Sequence, residues 1–94
     1  MSLQFEWDRR KAKQNHRKHG VSFEEAATTF ADPQSLTVSD PGHSMDEDRF
    51  VLLGLSYRGR LLVVVHTERG DRFRIISARR ATPSERKQYG EGRE

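Results

Sequence analysis

Arginine recurs along Glu68-Arg69-Gly70-Asp71-Arg72-Phe73-Arg74-Ile75-Ile76-Ser77-Ala78-Arg79-Arg80, a stretch whose apolar residues otherwise read as a β-strand. A guanidinium is permanently charged and presents five planar donors that match phosphate oxygens. Arg72, Arg74, Arg79 and Arg80 converging on one sheet therefore point to a polyphosphate ligand, RNA first among them. The competing reading is that strand-end arginines only keep a sheet edge soluble.

RNA carries its own nucleophile in the ribose 2′-hydroxyl, so cutting it without a metal needs little apparatus. The protein must align that hydroxyl with the neighbouring phosphate, take its proton, stabilise the phosphorane and protonate the leaving oxygen. The arginines supply the charge, and His66, Glu68 and Tyr89 are proton carriers expected near the basic strands. Strand alternation puts Val64, His66 and Glu68 on one face. If Val63, Val65 and Thr67 face the core, His66 faces out beside the arginines; alternation leaves the faces unassigned, and a histidine packed inside the sheet is the other reading. Tyr89 is equally suited to anchor the last helix in the core.

Metal chemistry has less to draw on. Of four histidines, His16 and His19 share a helical spacing, but there is no HExxH pattern and no third ligand is indicated, so neither a metal nor a cofactor is expected. The chain has no cysteine, which excludes disulfides, thiolate metal sites and a cysteine nucleophile. A basic helix over Arg9–Lys18 suits DNA, yet its cations fall on more than one face and no helix-turn-helix pattern accompanies it.

Ninety-four residues make one domain spanning 1–94. Apolar and charged residues each amount to 33%, but the apolar ones are gathered in Phe50–Leu55, Leu61–Val65 and Phe73–Ile76, which argues for folding rather than disorder. No run approaches a membrane span or a secretory signal, so a cytoplasmic address is expected, with no membrane contact. Net charge is +3, distributed as +4 over residues 1–18, −7 over 19–48 and +6 over 49–94. Such segregation suggests a basic surface opposed by an acidic band.

The elements that must position these residues follow from periodicity and punctuation. Phe5 and Trp7 alternate with polar neighbours as an opening strand, and Asp8 caps a basic helix over Arg9–His19 that Gly20 ends. Ser22 with Glu25 reads as a capping box for a helix over Phe23–Ala31, broken by Asp32-Pro33. A short strand around Leu36–Asp40 precedes a polar acidic loop, Pro41–Asp48. Strands Arg49–Tyr57, Arg60–Glu68 and Arg72–Arg80, joined by tight turns at Arg58-Gly59 and Arg69-Gly70, form an antiparallel meander. Thr82-Pro83-Ser84-Glu85 opens a last helix ending near Tyr89-Gly90, with Glu91–Glu94 as a frayed tail. The fold class is α+β, a small twisted, mainly antiparallel sheet in β-α-α-β-β-β-β-α order, with the helices on one face and a working surface on the other.

Phe5-Glu6-Trp7-Asp8, Asn15, Lys18-His19-Gly20-Val21-Ser22-Phe23-Glu24-Glu25-Ala26, Glu68-Arg69-Gly70-Asp71, Arg74-Ile75-Ile76-Ser77-Ala78-Arg79 and Ala81-Thr82 with Glu85 and Tyr89 together resemble the BrnT toxin family over nearly the whole chain. The resemblance implies a type II toxin–antitoxin system, a RelE-like fold and a metal-independent endoribonuclease that arrests translation. It also implies a BrnA-type ribbon-helix-helix antitoxin that covers the toxin in a hetero-oligomer and contacts promoter DNA on its behalf. Asp8-Arg9 stands where many relatives have Asp-Pro, a departure at a helix start. With the resemblance, the catalytic candidates are Arg79, Arg80, His66 and Glu68, and the RNA-binding candidates are Arg49, Arg69, Arg72, Arg74, Lys18 and Tyr89. The alternative is a non-catalytic RNA- or DNA-binding module using the same basic face.

Overall fold

The computed structural model describes residues 3–40 and 49–91. The elements run β1 (Gln4–Glu6), α1 (Arg9–His19), α2 (Phe23–Thr28), β2 (Leu36–Ser39), β3 (Arg49–Leu55), β4 (Leu61–Arg69), β5 (Arg72–Arg80) and α3 (Pro83–Glu91), with a 3-10 segment at Thr29–Ala31. The loop expected over Pro41–Asp48 and the last three residues of the tail lie outside the described residues, whereas Glu91 closes α3. Among the described residues no helix is long and apolar enough to cross a membrane.

The strands form one sheet in the order β1-β5-β4-β3-β2. β1 lies parallel to β5 and every other pair is antiparallel. Both hairpins depend on a glycine with positive φ, 76° at Gly59 and 61° at Gly70. β3 stops at Leu55 rather than Tyr57 because Ser56 already belongs to the turn: its N–H donates to Arg60 O at 2.9 Å and its carbonyl accepts from Gly59 N at 2.9 Å. The helix expected to reach Ala31 tightens after Thr28, where the hydroxyls of Thr28 and Thr29 donate to the carbonyls of Glu25 and Ala26 at 2.6 and 2.7 Å.

Helices cover both faces of the sheet, which corrects the one-sided arrangement expected from sequence. On the inner face α1 and α2 bury Val21, Phe23 and Ala26 against Leu52, Leu62, Val64, Ile75 and Ala78. On the outer face α3 sets Tyr89 against Leu53, Leu61 and Val63. The reason lies in β4, whose unbroken Leu61–Val65 run offers apolar side chains to both sides, so both need a cover.

α1 has little apolar surface and is fastened by one buried side chain. Asn15 Nδ2 donates to Val21 O at 3.0 Å and Ala78 O at 2.8 Å, and its Oδ1 accepts from Ala78 N at 3.1 Å, so the amide completes β5 as a neighbouring strand would. The capping box expected at α2 is half formed. Ser22 Oγ accepts from Glu25 N at 3.0 Å, but the Glu25 carboxylate, 3% exposed, turns instead to Ser56 Oγ at 2.7 Å and Arg60 Nε at 2.9 Å. Arg60 Nη2 closes the pair with Glu25 Oε1, and these hydrogen bonds hold the Glu25 carboxyl below its ordinary range against the opposing effect of burial. At α3 the capping box is reciprocal: Glu85 N donates to Thr82 Oγ1 at 3.2 Å and Thr82 N to Glu85 Oε1 at 2.8 Å.

Candidate nucleic-acid interface

A β-bulge decides which arginines act together. Val65 pairs with Ser77 and His66 with Ile75, so Ile76 is the extra residue in β5. In an unbroken strand Arg79, five residues from Arg74, would point to the opposite face. The bulge brings it back, so that Arg72, Arg74 and Arg79 all lie on the outer face while Arg80 joins Leu62 on the inner side.

Pairing then arranges the outer face in rows. Arg69 pairs with Arg72, and Arg72 with Gln4. The next row runs Arg49, Thr67, Arg74, Glu6 across β3, β4, β5 and β1. Neighbouring strands are about 4.8 Å apart and successive same-face residues about 6.6 Å along a strand, so four guanidiniums are rooted within reach of one or two phosphates. The Glu6 carboxylate lies among them, accepting from Arg74 Nη1 at 3.2 Å and standing 3.6 Å from Arg72 Nη1. Thr67 lies between Arg49 and Arg74, 3% exposed, and its hydroxyl has no hydrogen-bond partner among the described residues. Lower on this face the Val51 row and α3 close the sheet with apolar side chains.

Arg79 is differently occupied. Its Nη1 and Nη2 donate to Glu85 Oε1 and Oε2 at 2.9 and 2.8 Å, a bidentate pair that fastens the end of β5 to the first turn of α3. The Arg79 guanidinium pulls the Glu85 carboxyl down from its ordinary 4.5 to about 2.

The remaining sequence candidates fall elsewhere. His66 does not face out: it is 1% exposed on the inner face, enclosed by Phe30, Phe50 and Phe73 with ring centroids 4.8, 5.8 and 5.7 Å away. Burial pushes its pKa down, its Nδ1 has no partner among the described residues, and Nε2 is 3.7 Å from Glu68 Oε2 at the surface. His66, Glu68 and Arg80 thus share one side of the sheet and Arg79 the other. Tyr89 is buried and its hydroxyl donates to Asp32 Oδ2 at 2.7 Å. Lys18 is exposed on α1, the helix packed on the inner face. No three metal-ligating side chains come together among the described residues.

Sequence reasoning missed Glu6 and Thr67. The polar–apolar alternation of Gln4 to Trp7 put Glu6 on a strand, but only the parallel pairing with β5 sets it between two arginines. The same face contains Thr67 because His66 points the other way.

The chain matches, over residues 7–85, the family described as "Ribonuclease toxin, BrnT, of type II toxin-antitoxin system". Among solved structures, the 1.1 Å crystal structure of the Brucella abortus ribonuclease toxin BrnT is similar, with a TM-score of 0.63 and 20% identity, covering 86% of this chain and 99% of that one. No curated protein matches the chain.

Proposed function

The chain belongs to the BrnT family of ribonuclease toxins of type II toxin–antitoxin systems, and we propose that it cuts RNA without a metal ion on the outer arginine face of its sheet, in the cytoplasm, and so arrests translation. The observation that carries this reading is the row Arg49, Thr67, Arg74, Glu6 with Arg69 and Arg72 beside it. In this scheme Arg72 and Arg74 grip the scissile phosphate, Arg49 and Arg69 hold its neighbour, and Thr67 Oγ1 donates to a phosphate oxygen once the arginines above it turn toward the ligand. Glu6 accepts the 2′-hydroxyl proton as the O2′–P bond forms. The P–O5′ bond then breaks, and the departing oxygen takes a proton from water. The products are a 2′,3′-cyclic phosphate and a 5′-hydroxyl.

Under the same reading His66 fills an aromatic box, Tyr89 anchors α3, and Arg79 positions that helix rather than binding phosphate. Replacing Arg72 and Arg74 together by Ala is the test, because both are on the surface of the sheet and neither fastens a helix. A fall in cleavage of about 10²–10³-fold with unchanged thermal unfolding is expected; wild-type cleavage by a folded double variant rules this face out.

Family membership brings a protein antitoxin with it. We infer a BrnA-type, ribbon-helix-helix antitoxin whose acidic residues lie on the arginine face, so that inhibition is competition with RNA and promoter DNA is bound through the antitoxin. Retention of RNA without turnover would instead favour a non-catalytic binding module.

A further inference from the structure

We propose that the groove between β1, α1 and α2 is a single-stranded RNA subsite in which one unpaired base stacks on Trp7. The inference takes its ligand class from the ribonuclease reading above but locates a contact outside the arginine face. The groove is open, of about 930 Å³, and combines an aromatic wall with a mixed rim in which Arg9, Arg10 and Lys13 outnumber the carboxylates of Glu6 and Glu24. Trp7 is half-buried and held edge-to-face by Phe23, centroids 6.0 Å apart and planes at 79°, so the indole stays fixed while part of it borders the groove. Arg10, Lys13 and His16 border the same space from α1, and all three are exposed. Asp8, at the start of that helix, accepts with its carboxylate from the N–H groups of Arg10 and Lys11 at 2.8 and 3.1 Å.

An aromatic platform beside a line of cations is how sequence-tolerant sites hold unpaired nucleotides: the ring takes the base and the cations take the backbone. Glu6 links the two surfaces, since it borders this groove and also accepts from Arg74 on the arginine face. An RNA strand whose scissile phosphate is at Arg72 and Arg74 therefore passes around the β1 edge into the groove with its next nucleotide. A duplex, with its bases stacked inside, has none to offer Trp7.

The chain has a single tryptophan, so its emission reports on this groove alone. A 2′-O-methyl single-stranded hexanucleotide, which lacks the nucleophile and is not cut, is titrated into the protein with fluorescence anisotropy and Trp7 emission read together. Saturable quenching of Trp7 and loss of iodide accessibility at the concentration where anisotropy rises are expected, with no quenching by the duplex of the same sequence. Arg10→Glu with Lys13→Glu, two exposed changes checked by thermal unfolding, should weaken binding at least about tenfold and remove the quenching. Binding by anisotropy with unchanged Trp7 emission and iodide access overturns the groove and leaves the arginine face standing. No binding by either readout overturns both.

Discussion

Replacing Asn15 by Ala removes three hydrogen bonds and leaves their backbone partners enclosed. Val21 and Ala78 are 0% and 1% exposed, so water does not replace the lost amide at Val21 O, Ala78 O or Ala78 N. Each bond contributes about 1 kcal/mol net, and stranded buried groups add to the loss, giving about 3–5 kcal/mol. A domain of 94 residues has a total stability of about 5–14 kcal/mol, so the change consumes a large share of it. Melting should fall by about 15–30 °C. Chemical denaturation followed by Trp7 emission, with circular dichroism for the thermal transition, measures it. Asn15→Asp is the companion: it keeps the shape and the acceptor but sets a carboxylate against two carbonyls, and should cost at least as much. Losses below about 1 kcal/mol in both variants would refute the idea that this amide fastens α1 to β5.

His66 and Glu85 give opposite kinds of check. Burial keeps the imidazole neutral and lowers its pKa below the ordinary 6.5, so the unfolded chain binds the extra proton; stability is full above pH 6.5 and declines as pH falls below it. His66→Phe, seated among Phe30, Phe50 and Phe73, should flatten that decline in denaturation curves at pH 7 and pH 5 and leave RNA cleavage unchanged; a variant that folds but no longer cuts would return His66 to the chemistry. The Glu85 carboxyl, lowered from 4.5 to about 2, contributes stability above pH 4.5 that is lost as pH falls toward 2. Because its partner Arg79 is 42% exposed, the contribution is about 1–2 kcal/mol rather than the roughly 3 kcal/mol the full shift would give. The stability gap between wild type and Glu85→Gln should thus be open at pH 7 and shut near pH 2; a gap independent of pH would contradict it.

The meander, the caps at Asp8, Gly20 and Thr82, and β5 over Arg72–Arg80 were legible because turns, caps and period-two runs are local signals. The site was legible only in its composition. Which arginines share a face depends on Ile76 being a bulge, and nothing in Arg74-Ile75-Ile76-Ser77 marks one position as the extra residue. Glu6 joins the arginines through a parallel partner almost seventy residues away, a long-range pairing with no local trace. His66 went to the interior because Phe30, Phe50 and Phe73, from three separate elements, enclose it. Glu25 followed a capping-box spacing yet found a stronger partner in Arg60, thirty-five residues on.

Metal-free cleavage through the 2′-hydroxyl can be read from the fragment ends left when the antitoxin-free protein is incubated with a defined single-stranded RNA in EDTA. Fragments ending in 2′,3′-cyclic phosphate and 5′-hydroxyl are predicted, and none from the same RNA methylated at every 2′-oxygen; intact RNA in EDTA that is cut once magnesium is restored would mean that the enzyme depends on a metal ion.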